Sequence, residues 1–433
     1  METPWIFVKD AAEHNDELVT LKGWVYNLRS SGKIWFMILR DGTGMMQCIA
    51  SRQDVGEEIF NAQARLTQES SVEVTGRIHP DKRAPGGFEL ILSDLKIVQT
   101  ALDYPIALKE HGVEFLMDNR HLWLRSRKQW ALLRLRHTVY YAITEYLNAN
   151  GFVRFDSPIL TPNACEGTTT LFEVPYFDLG KAYLSQSGQL YLETGIMSLG
   201  RVYDFGPVFR AEKSKTRKHL TEFWMMDAEA AFVEHAENMR IQEELIRFVI
   251  RKALRDCQTE LEILERDVEK LRKADAPFRT VTHREAVEYL RSRGSAMTET
   301  EDLGAQEETL LTEASDVPIF VEKWPKEIKA FYMKRDPQNP DLVLGDDLIA
   351  PEGYGEIIGG SQREDDHELL LRRMQDENMP LAEYQWFLDL RKYGSVPHSG
   401  FGIGLERLVT WIAGVPHIRE TIPFPRTIYR LSP

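Results

Sequence analysis

The sequence predicts an α+β protein in which a small N-terminal β-barrel precedes a larger domain of helices and strands. Residues 17–99 alternate apolar and polar side chains in short runs separated by Gly and Pro, which is typical of barrel strands. Residues 125–150 carry apolar side chains at helical spacing and stop before Gly151, which predicts a helix. Strands therefore dominate the first part of the chain, and mixed elements follow.

The composition is that of a globular protein without a membrane span. The 433 residues are 43% hydrophobic and 28% charged, which suits two or three domains. The sequence lacks the run of about 18 apolar residues that a membrane helix needs. The N-terminus has neither the basic start nor the apolar run of a secretory signal. Three widely spaced cysteines favour a reducing cytoplasm, so we expect a cytoplasmic protein.

The net charge of −14 argues against a protein that coats nucleic acid through its bulk charge. A nucleic-acid partner would therefore have to meet a local basic surface. The alternative interpretation of any basic run is a solvated helix or loop face. Two groups of basic residues are candidates: Arg120, Arg125, Arg127, Lys128, Arg134 and Arg136, and the loop residues Lys213, Lys215, Arg217 and Lys218.

Residues 206–229, GPVFRAEKSKTRKHLTEFWMMDAE, carry the most chemistry. Arg210 offers a planar set of donors for a phosphate, and Phe223 offers a flat face for a purine. The basic loop between them would lie at the tip of two antiparallel strands. The segment resembles motif 2 of class II aminoacyl-tRNA synthetases. The alternative is an exposed hairpin with ordinary solvated charges.

Two further segments resemble the other motifs of that family, in the family's order. Residues 151–172 resemble motif 1, which builds a dimer interface, and an edge strand would tolerate Pro158. Residues 394–414 contain GFGIGLER, which resembles motif 3, a strand that runs through glycines into a helix presenting Arg407. The resemblance implies a homodimer and an antiparallel sheet flanked by helices.

The N-terminal segment GWVYNLRSSGKIWFMILRDGTG resembles the OB-fold anticodon-binding domain of the aspartate, asparagine and lysine enzymes. The resemblance implies that Phe36 stacks on an anticodon base, while Arg29 and Gln47 contact the same loop. The alternative for Phe36 is a place in the barrel core. We expect three regions: an OB-fold domain at 1–103, a linker at 104–120, and a class II catalytic domain at 121–433.

The resemblance also implies an ATP site with Mg²⁺. Arg210 and Arg407 would be the catalytic residues, and the ATP-binding set would be Arg210, Glu212, Arg217, His219, Phe223, Glu356 and Arg407. Magnesium prefers one or two carboxylates together with phosphate oxygens and water. Asp347 and Glu356 match the two acids that hold the metal. Spacing leaves Asp346 within reach as well, and the resemblance favours Asp347.

The residues that resemble an amino-acid pocket are Glu166, Ser187, Gln189, Leu192, Glu193, Asp227 and Arg363. In aspartate enzymes a lysine of QLYKQ or QLFKQ pairs with the substrate carboxylate, whereas here QLYLE places Leu192 at that position. Without that cation a buried carboxylate is costly, which predicts roughly 10⁴-fold exclusion of aspartate. The alternative for Leu192 is a core leucine in a strand.

The resemblance extends from Gly23 to Arg426 and points to the asparaginyl-tRNA synthetases. It implies that ATP and Mg²⁺ activate L-asparagine, which is then transferred to tRNA(Asn). Three alternatives stay open at this point. They are an aspartyl-tRNA synthetase, including one that charges both tRNAs, an asparagine synthetase that reuses the catalytic domain, and a non-catalytic tRNA-binding paralogue.

Overall fold

The computed structural model describes residues 3–162, 164–165, 170–213, 216 and 218–433. The chain forms two compact units, Met1–Leu116 and Met117–Pro433. The division between them falls inside the 104–120 segment that the sequence predicts as a linker. In the part of the chain that the structure describes, no helix has both the length and the apolar character needed to cross a bilayer.

The first unit is a closed five-stranded barrel with the strand order β1-β2-β3-β5-β4. Its strands are β1 (Leu18–Ser31), β2 (Ile34–Arg40), β3 (Met45–Ser51), β4 (Ser71–Pro80) and β5 (Phe88–Gln99). Helix α1 (Arg52–Ala62) follows β3, and the Ser51 hydroxyl caps it by accepting from the Gln53 amide. Alternation along β2 points Trp35, Met37 and Leu39 into the barrel, where none is exposed. The predicted OB-fold barrel is confirmed.

Helices flank the sheet of the second unit. Helix α2 (Val113–Asp118) spans the division at Leu116. The helices of the second unit are α3 (Arg120–Trp123), α4 (Arg127–Ala149), α5 (Gln189–Leu199), α6 (His235–Asp256), α7 (Gln258–Ile263), α8 (Val268–Lys273), α9 (His283–Ser292), α10 (Ala305–Thr312), α11 (His367–Asp376), α12 (Gln385–Lys392) and α13 (Leu405–Ala413). The long helix predicted at 125–150 is present as α4, and the Ser126 hydroxyl caps its first turn.

The strands of the second unit form one large sheet and one small sheet. They are β6 (Val153–Arg154), β7 (Leu160–Thr161), β8 (Glu173–Pro175), β9 (Lys181–Leu184), β10 (Arg201–Phe209), β11 (Glu222–Ala231), β12 (Arg279–Thr282), β13 (Ile319–Pro325), β14 (Arg335–Asp336), β15 (Asn339–Ala350), β16 (Gly355–Gln362) and β17 (His398–Gly404). The large sheet has the order β12-β13-β15-β16-β17-β11-β10-β6, with β14 paired to β15. Its central strands, from β13 to β10, are antiparallel.

The three predicted motifs occupy defined places in this sheet. Motif 2 is the β10–β11 hairpin, and motif 3 is strand β17 followed by helix α13. In the described part of motif 1, the short strand β6 pairs in parallel with β10 at the edge of the large sheet, and β7 belongs to the small sheet. Pro158 follows β6 and lies outside the strands, so the predicted motif 1 strand is shorter than its sequence suggests. The apolar core packs α4, α6 and α13 against the sheet.

Candidate active site and nucleic-acid surface

A cavity of about 1000 Å³ opens on the face of the large sheet formed by β11, β16 and β17. It brings together most of the site residues that the sequence predicts: Ser187, Gln189, Arg210, Glu212, His219, Phe223, Asp227, Asp347, Glu356, Arg363 and Arg407 all line it. Two predicted members, Glu166 and Arg217, lie outside the described residues. One cavity therefore holds both the phosphate-binding and the amino-acid-binding candidates.

The nucleotide end of the cavity combines cations with an aromatic face. Arg210 directly follows β10, and its guanidinium carbon lies 6.0 Å from the centre of the Phe223 ring on β11. Arg407 projects from the first turn of α13 and donates through Nη1 to Glu356 Oε2 at 3.0 Å. Burial and the nearby Arg407 lower the pKa of His219, which keeps that ring neutral near pH 7. The arrangement suits a polyphosphate joined to a planar base.

Asp347 and Glu356 converge above Gly359, which faces Asp347 across β15 and β16. A Cβ at Gly359 would lie 3.4 Å from Glu356 Oε1 and 3.8 Å from Asp347 Oδ1, so glycine leaves the space between the carboxylates open. Among the described residues, no group of three or more His, Cys, Asp or Glu side chains is arranged to hold a metal. A cation held here would therefore complete its shell with ligand oxygens and water, as Mg²⁺ does on nucleotides.

Neighbouring residues of a strand face opposite sides of the sheet, which separates Asp346 from Asp347. Asp347 lines the cavity, whereas Asp346 is fully buried on the other face, 3.6 Å from Nδ1 of His235. Of the two acids that the spacing allows, only Asp347 is therefore oriented for a metal beside Glu356.

The amino-acid end of the cavity contains Arg363 and Asp227. Arg363 donates through Nε to both oxygens of Glu229, at 3.1 and 3.3 Å, and through Nη1 to the Ser361 hydroxyl at 2.6 Å. Asp227 accepts from the Ser187 hydroxyl at 3.0 Å and from the Gly188 amide at 2.9 Å. Burial raises the pKa of Asp227, and these two hydrogen bonds oppose that rise.

Glu229 lies behind the cavity against Arg363 and is the candidate site residue that sequence reasoning missed. It is buried and forms a close ion pair with Arg363; burial raises the pKa of its carboxyl, and the guanidinium opposes that rise. The two-residue period of a strand could have predicted Glu229 from the sequence, because residues 227 and 229 must point to the same face of β11. The glycines of motif 3 make room for both acids. A Cβ would lie 2.0 Å from Glu229 Oε1 at Gly400, and 2.7 Å from Asp227 Oδ1 at Gly402.

The structure does not place Leu192 against the substrate cavity. QLYLE lies in helix α5, and Leu192 is fully buried in an apolar cluster with Ile196 and Val202. As far as the chain is described, the cavity lining does not include Leu192. This matches the alternative of a core leucine, although in a helix and not in a strand. The expected role of Leu192 as a direct substrate contact is therefore corrected.

Glu193 also does not line the cavity in the described part of the chain. Its Oε1 accepts from Gln189 Nε2 at 3.1 Å, and its Oε2 lies 3.0 Å from Nε2 of His398 and bonds Arg391. Burial alone would raise the pKa of Glu193, but Arg391 and His398 lower it below its usual range. Glu193 thus reaches the cavity only through Gln189, which lines it. The expectation of direct contact with the amino acid is corrected to an indirect one.

The barrel presents its three predicted anticodon residues on its outer face. Phe36 alternates with the buried Trp35 and Met37 on β2, so it points outward and is not a core residue. The Arg29 guanidinium carbon lies 4.7 Å from the centre of the Phe36 ring, across the β1–β2 register. Gln47 on β3 donates to Glu89 at 3.1 Å. An outward aromatic ring beside a cation suits an unpaired base.

Comparison with known proteins agrees with this geometry. A family model described as "tRNA synthetases class II (D, K and N)" matches residues 112–428. A second model, described as "OB-fold nucleic acid binding domain", matches residues 19–98. The matches cover both units, and together with the fold they define a class II tRNA synthetase with an N-terminal OB fold.

Individual relatives identify a narrower family within this class of synthetases. The asparagine–tRNA ligase of Roseiflexus castenholzii is 54% identical over 99% of both chains, and that of Symbiobacterium thermophilum is 54% identical over 99% of this chain and all of the relative. The crystal structure of asparaginyl-tRNA synthetase from Pyrococcus horikoshii complexed with asparaginyl-adenylate matches with a TM-score of 0.96. The two chains are 45% identical over their full lengths. The chain belongs to the asparagine–tRNA ligase family.

The buried position of Leu192 predicts a stability defect and no change of substrate in Leu192→Lys. An ammonium in an apolar cluster should lower the free energy of unfolding by about 3 kcal/mol or more. Leu192→Met retains the volume and should cost less than about 1.5 kcal/mol. Urea denaturation of both variants measures the difference. A lysine variant with wild-type stability that activates aspartate would instead place residue 192 at the substrate.

Proposed function

We propose that this protein activates L-asparagine with ATP and transfers the asparaginyl group to the 3′-hydroxyl of tRNA(Asn). The observation that carries the proposal is the single cavity in which Arg210, Phe223 and Arg407 meet the Arg363–Asp227 end. Adenylation joins a carboxylate oxygen of asparagine to the α-phosphorus and releases pyrophosphate. The amino acid supplies the nucleophile, so the protein needs only to position reactants and stabilise charge.

The nucleotide would be held between the two walls of the cavity. Its adenine stacks on Phe223, with the Arg407 guanidinium on the other face. Arg210 donates to the α-phosphate, where negative charge develops as pyrophosphate departs. His219 and Arg407 lie near the γ-phosphate, and Glu212 belongs to the same wall. Asp347 and Glu356 would hold Mg²⁺, which neutralises the phosphate oxygens when bound.

Recognition of the amide follows from the charges at the other end of the cavity. Glu229 offsets the charge of Arg363, so the guanidinium serves as a donor to a neutral carbonyl oxygen. Asp227 then accepts from the amide NH₂. An aspartate carboxylate would meet the Asp227 carboxylate instead, and two like charges in a buried site repel strongly. Ser187, Gln189 and Glu166 would bind the α-amino group.

The outward face of the barrel would bind the anticodon loop, with Phe36 as the stacking platform.

We also propose a homodimer. Exposed apolar side chains cluster in sequence around motif 1, where the family resemblance implies an interface: Val153, Ile159, Leu160, Phe172, Phe177 and Leu179. A cytoplasmic location is part of the proposal, since all three cysteines are buried thiols and burial raises the pKa of Cys48 and Cys257.

ATP–pyrophosphate exchange with each amino acid tests the proposed activity. Asparagine should support exchange, and its kcat/KM should exceed that of aspartate roughly 10⁴-fold because of the carboxylate at Asp227. Arg407→Ala sets the background of the assay, since it removes a contact to the nucleotide. Faster exchange with aspartate would indicate an aspartyl enzyme. No exchange with either amino acid would indicate a non-catalytic paralogue.

Phe36→Ala should weaken binding of tRNA(Asn) by about 5- to 150-fold, the range expected for one lost base stack. Phe36→Tyr keeps the aromatic face and should bind as the wild type does. Pyrophosphate exchange needs no tRNA, so both variants should retain it. Filter binding together with the exchange assay separates the two effects. Equal tRNA affinity for the alanine variant and the wild type would remove Phe36 from the interface.

Light scattering tests the proposed dimer. The chain has a mass of 50.0 kDa, and the protein in solution should have twice that mass. Leu160→Asp places a charge among the exposed apolar side chains and should shift the protein toward the monomer. Lys181→Ala, which removes an exposed ion pair with Glu173, serves as the control. An active wild-type monomer at micromolar concentration would contradict the proposal.

A further inference from the structure

Lys329 holds its ammonium group against Asp347, one of the two carboxylates proposed for the metal. Its Nζ lies 2.7 Å from Asp347 Oδ2 and 3.5 Å from Asp302 Oδ1. The same atom is 3.7 Å from the centre of the Trp324 ring, and only 10% of the side chain is exposed. Carboxylate oxygens on one side and an aromatic face on the other both attract a cation, so these contacts favour a charged ammonium at this position.

The backbone around Lys329 is held in place. The carbonyl oxygens of Lys326 and Lys329 both accept from Nη2 of Arg373, at 2.7 and 2.6 Å. With Trp324 on one side and Arg373 fixing the chain, the ammonium has a defined position next to Asp347. A long side chain held in this way loses little further freedom when it forms the ion pair.

Each carboxylate of the proposed metal site therefore has its own protein cation. Glu356 is paired with Arg407 at 3.0 Å, and Asp347 with Lys329 at 2.7 Å. The two cations differ in their surroundings. The Arg407 side chain is 30% exposed and lines the nucleotide wall, so bound phosphates would draw it away from Glu356. Lys329 is largely buried and stays beside Asp347.

We propose that Lys329 is a built-in counter-cation that weakens binding of a free divalent cation, so that the metal enters together with ATP. This inference rests on the proposed metal site at Asp347 and Glu356. A divalent cation near Asp347 must displace the ammonium or tolerate its repulsion over a few ångströms. The phosphates of ATP supply the negative charge that offsets both cations. Lys329 thereby acts as a positioning residue for the nucleotide–metal complex.

Binding of Mn²⁺ to the full-length protein, followed by the EPR signal of the free ion, tests the proposal without any turnover. Lys329→Met keeps the aliphatic stem against Trp324 and removes the charge. Its affinity for Mn²⁺ in the absence of nucleotide should rise about tenfold or more over the wild type. Lys329→Arg should resemble the wild type. Lys326→Met removes a nearby lysine that pairs with Asp341 on the surface, and should change nothing.

Unchanged or weaker Mn²⁺ binding by a folded Lys329→Met protein overturns the proposal. Lys329→Gln is a second neutral variant that keeps a polar head for Asp347, in case the methionine variant does not fold. Mn²⁺ binding by Asp347→Asn in the presence of ATP distinguishes a failure of the proposed metal site from a failure of the proposed role of Lys329. If the substitution leaves Mn²⁺·ATP binding unchanged, the metal site itself is misplaced. If it weakens that binding while the neutral Lys329 variants behave as the wild type, only the role of Lys329 fails.

Discussion

Side-chain alternation along strand β11 is the constraint on which the site depends. Odd-numbered Phe223 and Asp227 line the cavity, and Glu229 on the same face of the strand contacts Arg363, which also lines it. Even-numbered Met226 and Ala228 are buried in the core beneath them. A shift of one residue in register would exchange these two sets, so the pairing of β11 with β10 and β17 fixes the chemistry as well as the fold.

The second unit buries many charged side chains, and several of them are paired with an opposite charge. Glu229 is paired with Arg363, Glu193 with Arg391, and Asp347 with Lys329. Buried pairs of this kind add little net stability, but loss of one partner leaves an uncompensated charge at high cost. The pairs therefore favour one orientation of each side chain. In the proposed function, substrate groups would meet donors and acceptors whose positions are already set.

The sequence predicted the barrel, the motif 2 hairpin and the strand-to-helix step of motif 3, because local periodicity and glycine placement determine each of them. It could not decide which side chains meet the substrate. Leu192 matched a position in a family pattern, yet helix α5 buries it in the core. Glu229 was not predicted as a site residue, because a single acid in the sequence carries no recognisable pattern. Its side chain fits because the residue opposite it on β17 is Gly400, which has no Cβ. Spacing left Asp346 and Asp347 both within reach; the resemblance favoured Asp347, and the direction of one strand face gives the physical reason for that choice.

Discrimination between a carboxamide and a carboxylate therefore cannot be assigned to the exchange of one lysine for leucine. In the proposed function, selectivity comes from the positions of the charges: Arg363 is paired with Glu229, and Asp227 lies at the same end of the cavity as an acceptor. A cation restored at position 192 would have to break an apolar cluster before it reached the substrate. On this proposal, substrate preference depends on the whole set of buried charges, and a change of preference would require several of them to change together.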